Sequence, residues 1–269
     1  MLEALFLGLV QGLTEFIPVS SSAHLRIVGE FLPSAKDPGA AFTAISQIGT
    51  ELAVLIYFRK DIASILKAWF KRDGSAEARL GTLIIIGTLP IAVLGYLGQS
   101  YITNNFRSLW IVATTLIVFG LILGVADKVG RNEKTLANLS ARDGIAYGFA
   151  QALALVPGVS RSGATIALGR LLGYKREAAL RYSFLLALPA VFGSGFYELK
   201  SAISDSSVNT YSMTETLAAT VVAFLVGYSV IAWLMKFIST KTFTPFVIYR
   251  VALGSALLVA LATGVLSAQ

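Results

Sequence analysis

Two stretches of this chain, 140 positions apart, repeat one another, and both are too polar and too interrupted to be ordinary membrane helix. The offset pairs Gly8 with Gly148, Gln11 with Gln151, Leu13 with Leu153, Val19-Ser20 with Val159-Ser160, and Ser22 with Ser162. Each copy sets about half a membrane span on either side of a break. Residues 4–17 and 23–32 flank Pro18 and a serine run, and residues 144–156 and 163–173 flank Pro157-Gly158 and Ser160-Arg161-Ser162. A bilayer crossing takes about 20 helical residues. Half-length helices joined by irregular backbone therefore predict re-entrant hairpins, tolerated at membrane depth only where protein or a water-filled cavity surrounds the break.

The rest of the chain supplies the membrane. Only 14% of its 269 residues are charged, against about 25% in a soluble domain. Six further stretches, near 42–58, 80–99, 108–126, 181–198, 216–236 and 245–266, are long and apolar enough to cross a bilayer, with Pro189 expected to kink or shorten the fourth. Basic residues orient them. Segments 59–79, 127–143, 170–181 and 236–244 carry six, four, four and two, sixteen of the chain's 22, whereas loops 99–107 and 199–215 hold only Arg107 and Lys200. By the positive-inside rule the basic segments are cytoplasmic, so the net charge of +7 reflects topology and not nucleic acid. The first hairpin then enters from outside and is followed by three spans; the second enters from the cytoplasm and is followed by three more. The expected fold is an all-α polytopic membrane protein, one integral domain over 1–269. Its six transmembrane helices and two re-entrant helical hairpins form an inverted-topology repeat, with halves at about 1–127 and 140–269. The N-terminus carries Glu3 and lacks a basic segment, so no cleaved signal peptide is expected.

The copies differ where chemistry is concerned. The first adds Glu15, four residues after Gln11 on the same helical face, and His24 just after Ser20-Ser21-Ser22. An intramembrane carboxylate defaults to a functional reading, with an interfacial glutamate satisfied by nearby serines as the plain alternative. The serines can cap the following helix, supply a nucleophile or bind an oxyanion. The second copy adds Arg161 and Thr165 to a stretch that is otherwise neutral from Ile145 to Gly169. A guanidinium among hydroxyls at a helix N-terminus is a phosphate receptor. An anion cradle facing a Glu/Ser/His group predicts phosphoryl chemistry on a substrate reached from the membrane. Glu51, near Gln47, is read as facing the same cavity or pairing with an arginine, and Arg250 is expected to snorkel towards the interface; both are left outside the core site. Without cysteine, thiolate chemistry is excluded, and the single histidine excludes any mechanism needing two.

At these residues the chain resembles the BacA/UppP family of undecaprenyl-diphosphate phosphatases, bacterial membrane enzymes associated with bacitracin resistance. The resemblance rests on Gln11 to Glu15 running into Pro18-Val19-Ser20-Ser21-Ser22-Ala23-His24, on Pro157-Gly158-Val159-Ser160-Arg161-Ser162-Gly163-Ala164-Thr165, and on Gln47-Ile48-Gly49. It implies hydrolysis of undecaprenyl diphosphate to undecaprenyl phosphate at the outer face of the cytoplasmic membrane, recycling the lipid carrier of cell-wall synthesis. A divalent cation, Mg2+ or Ca2+, comes with the resemblance, and Glu15 is read as holding it or as orienting His24. The expected partners are the polyprenyl diphosphate substrate and membrane lipid, with no nucleic acid and with a homodimer among the allowed assemblies. Gln11 departs from the glutamate found in many relatives and leaves Glu15 alone of that pair. Type-2 phosphatidic acid phosphatases share serine-histidine and serine-arginine elements but need a second histidine.

These readings assign Glu15, Ser21, His24 and Arg161 to catalysis. Gln11, Ser20, Ser22, Ser160, Ser162 and Thr165 are assigned to substrate binding. Ser21 is the candidate nucleophile with His24 as its base or as the acid for the leaving group, and Ser20, His24 itself or an activated water remain open for the nucleophile's role. The rival class is a transporter or flippase moving a polyprenyl phosphate or another anion through the same inverted repeat.

Overall fold

A computed structural model of the chain describes residues 1–33, 37–106, 108–204 and 210–266, with backbone alone at 99–105. Arg107 lies outside the described residues. Eleven α-helices carry the described chain: α1 (Leu2–Thr14), α2 (Ser21–Phe31), α3 (Gly39–Tyr57), α4 (Arg59–Lys71), α5 (Ala76–Asn105), α6 (Leu109–Val129), α7 (Ala141–Ala152), α8 (Arg161–Leu171), α9 (Arg176–Ser204), α10 (Met213–Ile238) and α11 (Thr244–Ala262). The described residues form no β-strand, only a single bridge between Lys134 and Tyr174.

Six of these helices, α3, α5, α6, α9, α10 and α11, are long and apolar enough to cross a membrane, and each covers one of the stretches expected from the sequence. Their outer faces leave Leu89, Val93, Val125, Leu225, Ile248 and Val259 each more than half exposed. Such a belt of large aliphatic side chains belongs against hydrocarbon, not water. The protein is a multi-pass membrane protein.

Two local readings change. Pro189 does not shorten α9, which runs over 29 residues with the proline inside it. A proline costs one backbone hydrogen bond and some steric room, which neighbouring helices in a membrane bundle absorb; here α3, α5 and α8 pack along α9. The basic segment 59–79 is not simply a loop. Its first part is the amphipathic α4, burying Ile65 and Ala68 against α5 while Lys60, Lys67 and Lys71 stay exposed.

Packing pairs α1 with α10 and α7 with α5, α3 with α9, and α6 with α11. The repeated residues occupy matching environments. A Cβ on Gly8 would lie 2.8 Å from the Cα of Ala219, and one on Gly148 would lie 2.6 Å from the carbonyl oxygen of Gly87. Glycine is required in both copies because helix backbone lies on helix backbone. Gln11 and Gln151 are fully buried, Val19 and Val159 are buried, and Leu13 and Leu153 both face outward. At the end carrying the basic segments, Asp127 accepts from Arg170 Nε (3.2 Å), Arg176 Nε (2.6 Å) and the Phe243 amide (3.0 Å), tying α6, α8, α9 and the start of α11 together.

Candidate active site

The two breaks build the site, and they build it alike. The residues that precede α2 and α8, Ser20 and Ser160, both adopt left-handed backbone, with φ of 75° and 70°. That conformation is strained for a residue with a Cβ and persists only where its surroundings enforce it. Each of these serines has its hydroxyl 3.3 Å from that of the serine two positions on, Ser22 or Ser162. Ser160 Oγ caps α8 by accepting from the Gly163 amide at 3.1 Å, whereas Ser20 makes no such bond. The enforcing group is Arg250, fully buried on α11. It donates from Nη1 to the Pro18 carbonyl (3.1 Å) and from Nη2 to the carbonyls of Gly158 (2.9 Å) and Val159 (3.0 Å), so one guanidinium holds both breaks. Further bonds to Thr115 and Leu116 carbonyls anchor it on α6. Gly163 leaves the necessary room: a Cβ there would lie 2.7 Å from Arg250 Nη1.

Between the breaks lies a cavity of about 490 Å3, bordered by Ser20, Ser21, Ser22, Ser160, Arg161, Glu15 and Gln47. Its far wall is α5 and α9, where it reaches Tyr96 and Tyr197, which are 77% and 53% exposed on the outer surface. The polar end, at Glu15, Ser21 and Arg161, is lined mainly by buried residues, and the other end, between α5 and α9, carries the exposed Tyr96 and Tyr197 together with Glu198. The N-termini of α2 and α8 both border the polar end, and the first-turn amides of a helix have no partner within it.

Arg161 is the centre of the polar end. Its Nη2 donates to Glu15 Oε1 and Glu51 Oε1, both at 2.7 Å. The arginine side chain keeps 13% exposure while Glu15 and Glu51 keep 3% and 0%, so Arg161 is the most accessible of the three; Glu15 also borders the cavity and Glu51 does not. Glu15 Oε2 accepts from Ser21 Oγ at 2.5 Å, Gln11 Nε2 at 2.7 Å and Gln47 Nε2 at 3.3 Å. Residues from α1, α2, α3 and α8 thereby meet at one carboxylate.

Other residues expected in the site sit behind it. His24 is buried with Nδ1 2.8 Å from the Ser20 carbonyl and Nε2 2.8 Å from the Tyr249 hydroxyl. A carbonyl only accepts, so Nδ1 carries the proton and Nε2 of the neutral ring accepts from Tyr249. His24 therefore holds the backbone of the break, and Ser21 is bonded to Glu15 instead. Thr165 is fully buried and donates to the carbonyl of Arg161 at 2.8 Å and meets Ser183 Oγ at 2.6 Å, which braces α8 against α9 without bordering the cavity. Ser162 is likewise buried beneath Ser160, and Gln11 stands behind Glu15.

Residues 4–256 match the profile of the family described as "Bacitracin resistance protein BacA". The chain belongs to that BacA family. It is 60% identical to the protein named undecaprenyl-diphosphatase of Micrococcus luteus, over 99% of both chains. It is likewise 60% identical to the undecaprenyl-diphosphatase of Paenarthrobacter aurescens, again over 99% of each. To undecaprenyl-diphosphatase 2 of Agrobacterium fabrum it is 58% identical, over 99% of this chain and 98% of that one.

Sequence reasoning left outside the core site two residues that the structure brings to it, Glu51 beside Arg161 and Arg250 at both breaks. Glu51 and Arg250 are both ionisable residues within membrane-spanning helices, which is the signal that marks function by default. Arg250 does not snorkel, because five buried carbonyls hold it in place.

Proposed function

We propose that this protein dephosphorylates undecaprenyl diphosphate, the reaction its relatives are named for. The observation that carries the reading is the Ser21–Glu15–Arg161 constellation at one end of a cavity whose other end is lined by α5 and α9. A diphosphate needs charge neutralisation and positioning; a long isoprenoid tail needs an exit into hydrocarbon.

In this reading Arg161 and the N-termini of α2 and α8 hold the terminal phosphate. Ser21 Oγ attacks its phosphorus as Glu15, already accepting that hydroxyl's hydrogen bond, takes the proton. The bond to the bridging oxygen breaks and undecaprenyl phosphate leaves towards the membrane. Water then attacks the phosphoserine, and Ser21 recovers a proton as inorganic phosphate departs. His24 serves as a positioning residue that fixes the Ser20 backbone.

The site's residues fit the divalent cation that the resemblance implies. Gln11 Oε1 and Glu51 Oε2 are buried without a partner, and carboxylate and amide oxygens are the donors of Mg2+ and Ca2+. Among the described residues no three His, Cys, Asp or Glu side chains form a metal cluster; Glu15, the carboxylate that borders the cavity, would hold the ion. Bound there, it would neutralise charge on the diphosphate.

The two hairpins, paired residue by residue at one offset and packed in exchanged partnerships, support halves related by inversion across the bacterial cytoplasmic membrane. The basic segments then face the cytoplasm and the site faces outward. Liposomes carrying the purified protein and externally added undecaprenyl diphosphate test the reading. Release of inorganic phosphate supports it, and lipid movement without release supports the carrier instead.

A further inference from the structure

We infer that Glu51 supplies the second carboxylate of this site in place of an acid at position 11, so that Gln11 and Glu51 form one coupled choice. The inference rests on the phosphatase reading and adds a residue to it.

Glu51 comes from the middle of α3, is fully buried and does not border the cavity. Its Oε1 accepts from Arg161 Nη2 at 2.7 Å, and its Oε2 has no partner among the described residues. Burying a carboxylate with so little hydrogen bonding is costly. Packing gives no reason for it, since an apolar side chain at position 51 would lie comfortably among membrane helices. What the carboxylate does is hold Arg161, whose same Nη2 also donates to Glu15, the carboxylate that Gln11 supports. It acts as a positioning residue for the group that meets the diphosphate.

Gln11 explains why the acid is at 51. It lies one helical turn before Glu15, and its Nε2 donates to Glu15 Oε2 at 2.7 Å. A carboxylate at position 11 cannot donate there, and two ionised carboxylates at such a distance repel strongly. With Glu51 also present, a chain of three acids linked through Glu15 would depend on a single guanidinium. With glutamine at 11 and glutamate at 51, two acids face one base, and exchanging the two residues keeps that ratio. The charge count, more than the chain position of the acid, sets how firmly Arg161 is held and how much of its field remains for the substrate.

A double-mutant cycle tests this: wild type, Glu51→Gln, Gln11→Glu and the double exchange, each purified in detergent. Two readouts are taken, kcat and KM for phosphate release from undecaprenyl diphosphate, and the shift of the melting temperature by inorganic pyrophosphate. Each single variant is expected to lose about 30-fold or more in kcat/KM, as when one partner of a buried charge pair is removed. The double exchange is expected to regain at least ~10-fold over either single variant, and to recover the pyrophosphate shift. A merely structural Glu51 would not be rescued by an acid placed on another helix. The inference is overturned if Glu51→Gln stays within ~3-fold of wild type, if the two losses simply multiply in the double variant, or if the double variant elutes as poorly folded as the worse single. Should wild type release no phosphate, the phosphatase reading fails on its own, and the pyrophosphate shifts still decide the coupling by the same criterion.

Discussion

Replacing Arg250 with methionine asks whether one buried guanidinium holds both breaks of the site. The side chain keeps its approximate volume and loses all five acceptors, every one of them a carbonyl. Thr115 and Leu116 lie inside α6 and keep their helical partners, so the damage falls on Pro18, Gly158 and Val159. Each buried carbonyl left without a donor costs about 1–3 kcal/mol, roughly 3–9 kcal/mol for the three. Against that, the guanidinium's own desolvation, several kcal/mol, is relieved. The two terms are comparable and largely offset, so the net loss of stability is small, at most about 4 kcal/mol. Turnover suffers more, because the strained Ser20 and Ser160 backbones lose the contact that over-determines them, and a shift of about 1 Å in either costs about 100-fold. Arg250→Lys restores the charge but not the fork, so it should recover stability more than kcat. Thermal unfolding in detergent and steady-state phosphate release measure the two effects. An Arg250→Met protein with wild-type kcat would refute the reasoning, whatever its melting temperature.

Tyr249→Phe removes the hydroxyl that donates to His24 Nε2 at 2.8 Å. It should lower kcat about 10-fold with KM nearly unchanged, since only the support of Ser20 loosens; an equal change confined to KM would point to direct substrate contact. Asp143 lies at the start of α7, outside the six spans. Burial alone would raise its carboxyl above the usual 3.8, but hydrogen bonds from Tyr174 and Ser140 outweigh this, and Lys134 adds to them, leaving it lowered. A lowered folded-state pKa contributes stability above the unfolded value, lost as pH falls through the folded value. Asp143→Asn should therefore lower the melting temperature near neutral pH and flatten its fall below about pH 4, and a variant whose profile parallels wild type there would contradict the assignment.

The spans were legible because a bilayer demands about 20 apolar residues in a row, which local composition displays. The hairpins were legible because Pro18, Pro157, Gly158 and the serines interrupt that pattern at the same offset. What stayed hidden has a common cause in distance along the chain. His24 meets Tyr249 across 225 positions, Arg161 meets Glu51 across 110, and Arg250 meets Pro18 across 232. No spacing rule reaches so far: the sequence offers Glu51 an arginine partner without saying which, shows Arg250 only as a charge near a helix end, and places His24 beside Ser21 because the two are neighbours along the chain. The amphipathic α4 was hidden differently. Counting Lys and Arg in 59–79 served the topology but passed over Ile62, Ile65 and Ala68, spaced three apart on one helical face.

The central claim is that Arg161 from the second hairpin and Glu15 with Ser21 from the first form one phosphatase site. Single-turnover phosphate release from undecaprenyl diphosphate by purified wild type and Arg161→Ala tests it most directly, with monodisperse elution of both as the control. The account predicts a loss of at least ~1000-fold, the scale of a missing transition-state arginine in phosphoryl transfer. Release by Arg161→Ala at a rate near wild type would contradict the composite site.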